Sequence, residues 1–133
     1  MSTADQQRLL GTQRRGEGQG LFNASDECVF FGPKSGDLLD VKRFTDPSWP
    51  FPFANEVSYA RLLASLGLAT FKTFTTPGGG QGLVVHGSRP WETWAFGQKH
   101  GEVLSLTSYG QGLFPARLGP RLDETLRTLL ARF

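Results

Sequence analysis

Between Ala69 and Gly112 the chain repeats one pattern: short runs rich in β-branched and aromatic residues, separated by turns rich in glycine. The run ATFKTFTT (69–76) is followed by PGGGQG (77–82), then LVVHG (83–87), WETWAFGQ (91–98), a turn at Lys99–His100–Gly101, and EVLSLTSYG (102–110). Runs of this length, bounded by residues that favour positive φ or break strands, predict four antiparallel strands joined as a meander. Composition agrees, because 17 glycines and 8 prolines exceed average usage of about 7% and 5% and demand many turns. In the last run Leu104 and Leu106 point one way and Val103, Ser105, Thr107 and Tyr109 the other. In the run before it, Trp94 and Phe96 alternate with Thr93 and Ala95, and Trp94 is expected to face the core.

Upstream, CVFF (Cys28–Phe31) has the character of a buried strand, PKSG (33–36) is a turn, and Asp37–Phe44 forms the second arm of a hairpin. Leu39, Val41 and Arg43 share one face of that arm, and Leu38, Asp40, Lys42 and Phe44 share the other. The segment TDPSWPFPF (45–53) carries three prolines among large aromatics, which excludes a helix interior and a central strand. Its aromatics either cap the core or form an adhesive surface stiffened by proline.

Two helices are predicted. NEVSYARLLASLG starts with Asn55 as N-cap, places Glu56 near the positive end of the helix dipole and stops at Gly67. Tyr59, Leu62, Leu63 and Leu66 recur at i, i+3, i+4 and i+7, a stripe expected to pack on the sheet. At the C-terminus Pro120 suits a first turn, Asp123 and Glu124 follow it, and Arg127 and Arg132 lie toward the other end. Leu122, Leu126, Leu129 and Phe133, flanked by Leu118 and Leu130, must be buried, either against this chain's own sheet or against a second copy. The expected fold is therefore α+β: an antiparallel meander with two main helices, about 55–66 and 119–133, on one face of the sheet. Residues 1–20 read as a flexible or frayed helical arm, with a short helix around Leu9 and Leu10, and residues 21–133 as one domain.

Charge narrows the function classes. Fourteen Lys and Arg stand against 12 Asp and Glu, a formal +2, with the signs interspersed, which is not the pattern of a dedicated nucleic-acid binder. Cys28 is the only cysteine, so neither an internal disulfide nor a cysteine-based zinc site is expected. No apolar run approaches the ~20 residues of a membrane span, and residues 1–20 lack the apolar stretch of a signal peptide. A cytoplasmic location is expected.

The residues that could carry chemistry are few. TPGGGQG (76–82) invites comparison with a phosphate cradle, but a strand follows it where a P-loop needs Lys, then Ser or Thr, and a helix. His86 and His100 show no metal-ligand spacing, Cys28 lacks a cationic setting, and Asp26–Glu27 and Asp123–Glu124 are sequence neighbours rather than a paired-carboxylate signature. No catalytic residue, metal or cofactor is assigned. The reading is a non-enzymatic protein-binding or regulatory module of adaptor, chaperone-like or inhibitor/immunity type, with Trp49, Phe51, Phe53 and Trp91 as interface candidates. Its partner is a protein, with a homodimer as one form. The alternative is single-stranded nucleic-acid binding through sheet aromatics, with Lys72, Arg89, Arg117 and Arg121 gripping phosphates. A third reading is a small enzyme using His86 or His100.

Overall fold

A computed structural model describes residues 4, 8, 15–17, 26–31, 38–45, 52–87, 93–109 and 121–132. In chain order the elements are β1 (Arg15–Glu17), β2 (Asp26–Phe31), β3 (Leu38–Phe44), α1 (Phe53–Ser65), β4 (Ala69–Thr75), β5 (Gln81–Gly87), β6 (Thr93–Lys99), β7 (Glu102–Tyr109) and α2 (Leu122–Leu130). The strands form one sheet in the order β1-β2-β3-β7-β6-β5-β4, antiparallel at every step. The predicted meander is β4 to β7, and the predicted hairpin is β2–β3. The two units join through β3 and β7, where Val41 lies opposite Leu106. Strand β1, which the sequence pattern does not mark, pairs Gly16 with Val29 at the far edge.

Turn chemistry holds the register. Lys99 pairs with Glu102, so the β6–β7 hairpin turns through His100 and Gly101 alone, with φ of 52° and 74°. Two successive positive φ values match the right-handed twist of the flanking strands, and a glycine at the second position meets that demand without strain.

The helices lie on opposite faces of the sheet, not on one face as the sequence suggests. Leu39, Val41, Val84, Ala95, Leu104 and Leu106 pack with Leu122, Leu126 and Leu130 of α2. Phe44, Leu83, Val85, Phe96 and Val103 pack on the other side with Ala60, Phe53 and Val57 of α1. Adjacent residues such as Leu83 and Val84 therefore belong to different cores, which only a sheet covered on both faces allows. The α2 leucines are buried by this chain's own sheet. Gly97 makes that docking close, since a Cβ there would stand 2.9 Å from Leu126 Cδ1 and 3.0 Å from Leu130 Cδ2.

Helix α1 departs from its predicted start and from its predicted orientation. It begins at Phe53, with Pro52 at the N-cap, and the Asn55 N–H donates to the Pro52 carbonyl at 3.0 Å. Asn55 is thus inside the first turn. The reason is tertiary: Phe53 stacks on Phe96 with ring centroids 6.2 Å apart, an anchor that outweighs a side-chain cap. The far end follows the predicted stop. Gly67 has φ 71°, its N–H donates to Ala64 and the Leu68 N–H donates to Leu63, the paired bonds of a Schellman motif.

The buried face of α1 is Phe53, Val57 and Ala60, with Ala60 fully enclosed, whereas Tyr59, Leu62 and Leu66 are exposed. Of the predicted stripe, Leu62 and Leu66 point away from the sheet, while Leu63 is half-buried. Alanine at the contact lets the helix backbone sit close over the sheet aromatics, a geometry that leucines at the same place would prevent.

At the N-terminus, Ala4 and Arg8 have helical backbone. Arg8 pairs with Glu124, and its carbonyl accepts a hydrogen bond from Arg121, so this point of the arm is tied to the start of α2.

Candidate functional site

The surface that stands out is built on α1 and the turn after it. Tyr59, Leu62 and Leu66 recur at i, i+3 and i+7, and Leu68 follows the Gly67 stop. They are 52%, 54%, 62% and 54% exposed, respectively. Tyr59 also leans on Trp94 of β6, ring centroids 6.3 Å apart. The patch ends one residue before Ala69, the first residue of β4, and β4 is an edge of the sheet among the described residues. None of the seven β4 residues is fully buried, whereas four consecutive residues of β5 are. Helix and edge strand thus form one continuous, incompletely covered surface.

Of the predicted interface residues, Phe53 lies partly buried in the α1-side core, consistent with core capping by that end of the loop. Trp49, Phe51 and Trp91 lie outside the described residues, as do Arg89 and Arg117. Lys72 pairs with Asp123 of α2, and Arg121 donates to the Arg8 carbonyl. A stacking platform needs ring faces open to bases. Among the described sheet rings, Phe71, Trp94 and Phe96 instead lie in the α1-side core, Phe44 is buried there too and Phe30 in the α2-side core, and Phe74 lies beneath Arg127, whose guanidinium carbon sits 3.8 Å from its ring centroid.

The candidate nucleophile and bases are far apart. His86 is opposite Thr93 at one end of the β5–β6 pair, while His100 caps the hairpin at the other end. Cys28, partly buried against the α2-side core, is four strands from His86 in the sheet order, roughly 19 Å at normal strand spacing. Burial, then the charge of Lys72, holds the His86 imidazole below its usual pKa. Among the described residues, no group of three or more His, Cys, Asp or Glu side chains could hold a metal ion, and no helix is long and apolar enough to cross a membrane.

The glycine loop has a structural occupant. Lys99 is buried beneath it, and its ammonium donates to the Leu130 carbonyl at 3.0 Å, placing a cation at the negative end of the α2 dipole. A Cβ on Gly78 would lie 3.4 Å from Lys99 Nζ, so the loop closes directly over that lysine. It is held by the Thr76 N–H donating to Gly80 at 2.8 Å and the Gly79 N–H donating to Thr76 at 3.2 Å.

Asp123 ties α2 to the edge strand. Partial burial alone would raise its carboxyl pKa, but hydrogen bonds from Lys72 and Arg127, with their charges, hold it below the ordinary 3.8. A depressed carboxyl stabilises the fold above its unfolded-state pKa, and that contribution is lost as pH falls through the folded-state value. Asp123→Asn is therefore expected to cost no more than about 1 kcal/mol at pH 7. Urea midpoints of the two proteins should converge as the pH falls below 3.8; a gap independent of pH would show that the ion pairs contribute nothing.

Comparison with protein-family models, curated proteins and solved structures yields no match. The class that the fold defines is an α+β domain whose antiparallel sheet is covered on both faces, and function is argued from its own residues.

Exposure of Leu62 and Leu66 was not legible from periodicity, which assigns them to the core. The available signal was the competing stripe Phe53–Val57–Ala60, also at i, i+4 and i+7.

Proposed function

We propose that this chain is a cytoplasmic, non-enzymatic protein-binding or regulatory module, of adaptor, chaperone-like or inhibitor type. Its contact surface is the outer stripe of α1 together with Leu68. The observation that carries this reading is that four large apolar side chains, Tyr59, Leu62, Leu66 and Leu68, each stand more than half exposed along one helix and its exit turn. At those exposures they present roughly 400 Å² of apolar surface, the size of the largest patch on an ordinary monomer, which is often the functional one. Tyrosine and leucine on a rigid helix also meet a partner with little further ordering cost. Trp49 and Phe51 belong to the same proposal, since they directly precede Pro52 in the chain.

The test is capture from the native cell with tagged wild-type chain and with the double variant Leu62→Asp/Leu66→Asp. The wild type is expected to recover a stoichiometric protein partner, and the variant to lose it while keeping its circular dichroism and a cooperative urea transition. Equal recovery by a folded variant overturns the reading. So does recovery of nuclease-sensitive material with no protein partner.

A further inference from the structure

We propose that the partner of the α1 surface is a second copy of this chain, joined through antiparallel pairing of the two β4 edges. The inference rests on the protein-binding reading above and adds the identity and geometry of the partner.

Among the described residues the two edges of the sheet are unequal. Strand β1 has three residues, a length that offers little to a new strand. Strand β4 is paired to β5 over all seven residues, Ala69 to Thr75, without a bulge or a proline. Long, regular edges of this kind expose a row of N–H and C=O groups ready to pair. Its charged residue, Lys72, is directed onto Asp123 on the α2 side of the same chain.

Symmetry then decides what else meets. Two antiparallel copies of one strand are related by a two-fold axis perpendicular to the sheet, so each residue faces one of the same parity and both α1 helices fall on the same face. Leu66 and Leu68, within three residues of Ala69, would then flank the junction from both copies. A register centred on Lys72 would set two ammonium groups opposite each other, which is unfavourable. Registers centred on Phe71 or Thr73 avoid this, and both leave the junction lined by threonine and phenylalanine.

Two further arguments favour a second copy over an unrelated protein. An isologous interface must complement itself, and a neutral surface of Thr, Phe, Leu and Tyr does so without needing opposite charges placed across the axis. The area is of the right order: a stable interface buries about 800 Å² per partner. Roughly 400 Å² of apolar patch, with a seven-residue strand edge, approaches it.

The experiment is sedimentation velocity on the full chain across the micromolar range, with two variants that act on different parts of the junction. Wild type is expected at twice the chain mass. Leu66→Asp/Leu68→Asp places carboxylates at the two flanks of the junction, and Thr73→Lys adds a like charge on each edge strand. Each is expected to weaken association by about tenfold or more, with unchanged circular dichroism. A wild type that sediments at the single-chain mass throughout overturns the dimer, as does a dimer that both folded variants leave intact. The outcomes separate from those of the capture test: a monomeric chain that still recovers a different protein through Leu62 and Leu66 sinks the self-pairing alone, whereas untagged copies of the chain recovered as the partner support it.

Discussion

Ala60→Asp is expected to remove about 4 kcal/mol of folding free energy, the scale of an uncompensated buried charge, whereas Leu62→Asp, two residues away, is expected to cost only about 1 kcal/mol, from lower helix propensity and a carboxylate in the last helical turn. Ala60 is fully enclosed between α1 and the sheet, and its neighbours are Phe44, Leu83, Val85, Phe96 and Val103. None of these can accept or donate a hydrogen bond through its side chain, so a carboxylate there must either remain unpaired or push the helix away. Leu62 is more than half exposed, and a charge at that position stays in water. Helical periodicity, which puts Leu62 in the core and Ala60 off its centre, gives the opposite ranking. Urea unfolding of the two variants at equal m-value distinguishes the two, and a large loss from Leu62→Asp would overturn the orientation of α1 described above. Because a domain of this size is stable by only about 5–15 kcal/mol, the Ala60 variant is expected to be partly unfolded at 37 °C.

The second large effect is expected on the other face. Leu126→Ala should cost about 4 kcal/mol, toward the upper part of the range for buried leucines. That range reflects how far the surroundings can collapse into the space left. Leu126 lies over Gly97, which has no side chain to move into the vacancy. The β6 backbone cannot follow either, because Phe96 and its neighbours are packed against α1 on the far side. The cavity should persist, and with it the lost dispersion contacts. Leu129, only partly buried on the same helix, is the internal control and should cost clearly less when truncated. Equal losses at the two positions would show that α2 is not seated as described. Since Ala60 and Leu126 belong to cores on opposite faces, their effects should add to within about 0.5 kcal/mol, measured with the milder pair Ala60→Gly and Leu126→Val so that the double variant stays folded.

Most of the sheet was legible from residues alone. The strands β4 to β7 were marked by glycine turns at both ends, and His100–Gly101 has the positive φ values that a two-residue hairpin needs. The C-cap of α1 was legible for the same reason, since Gly67 meets a local backbone demand. The acidic first turn of α2 and its leucine spacing were local as well. The candidate surface was not legible. Stripes at helical spacing ran along two sides of α1, Phe53–Val57–Ala60 and Tyr59–Leu62–Leu66, and nothing local ranks one above the other. Asp40 and Lys42 give a second case: alternation put them on one face of β3, but their burial and mutual ion pair depend on what packs above that strand.

The sequence by itself determined the number and type of the central strands, the turns between them and the C-terminal stop of α1, because each depends on φ preferences and dipole contacts within a few residues. Only the tertiary structure decided which face of the sheet each helix covers, and that Ala60 rather than the leucines of α1 meets it. Those outcomes depend on close packing between segments far apart in the chain, where the volume of one small side chain outweighs the hydrophobicity of several large ones.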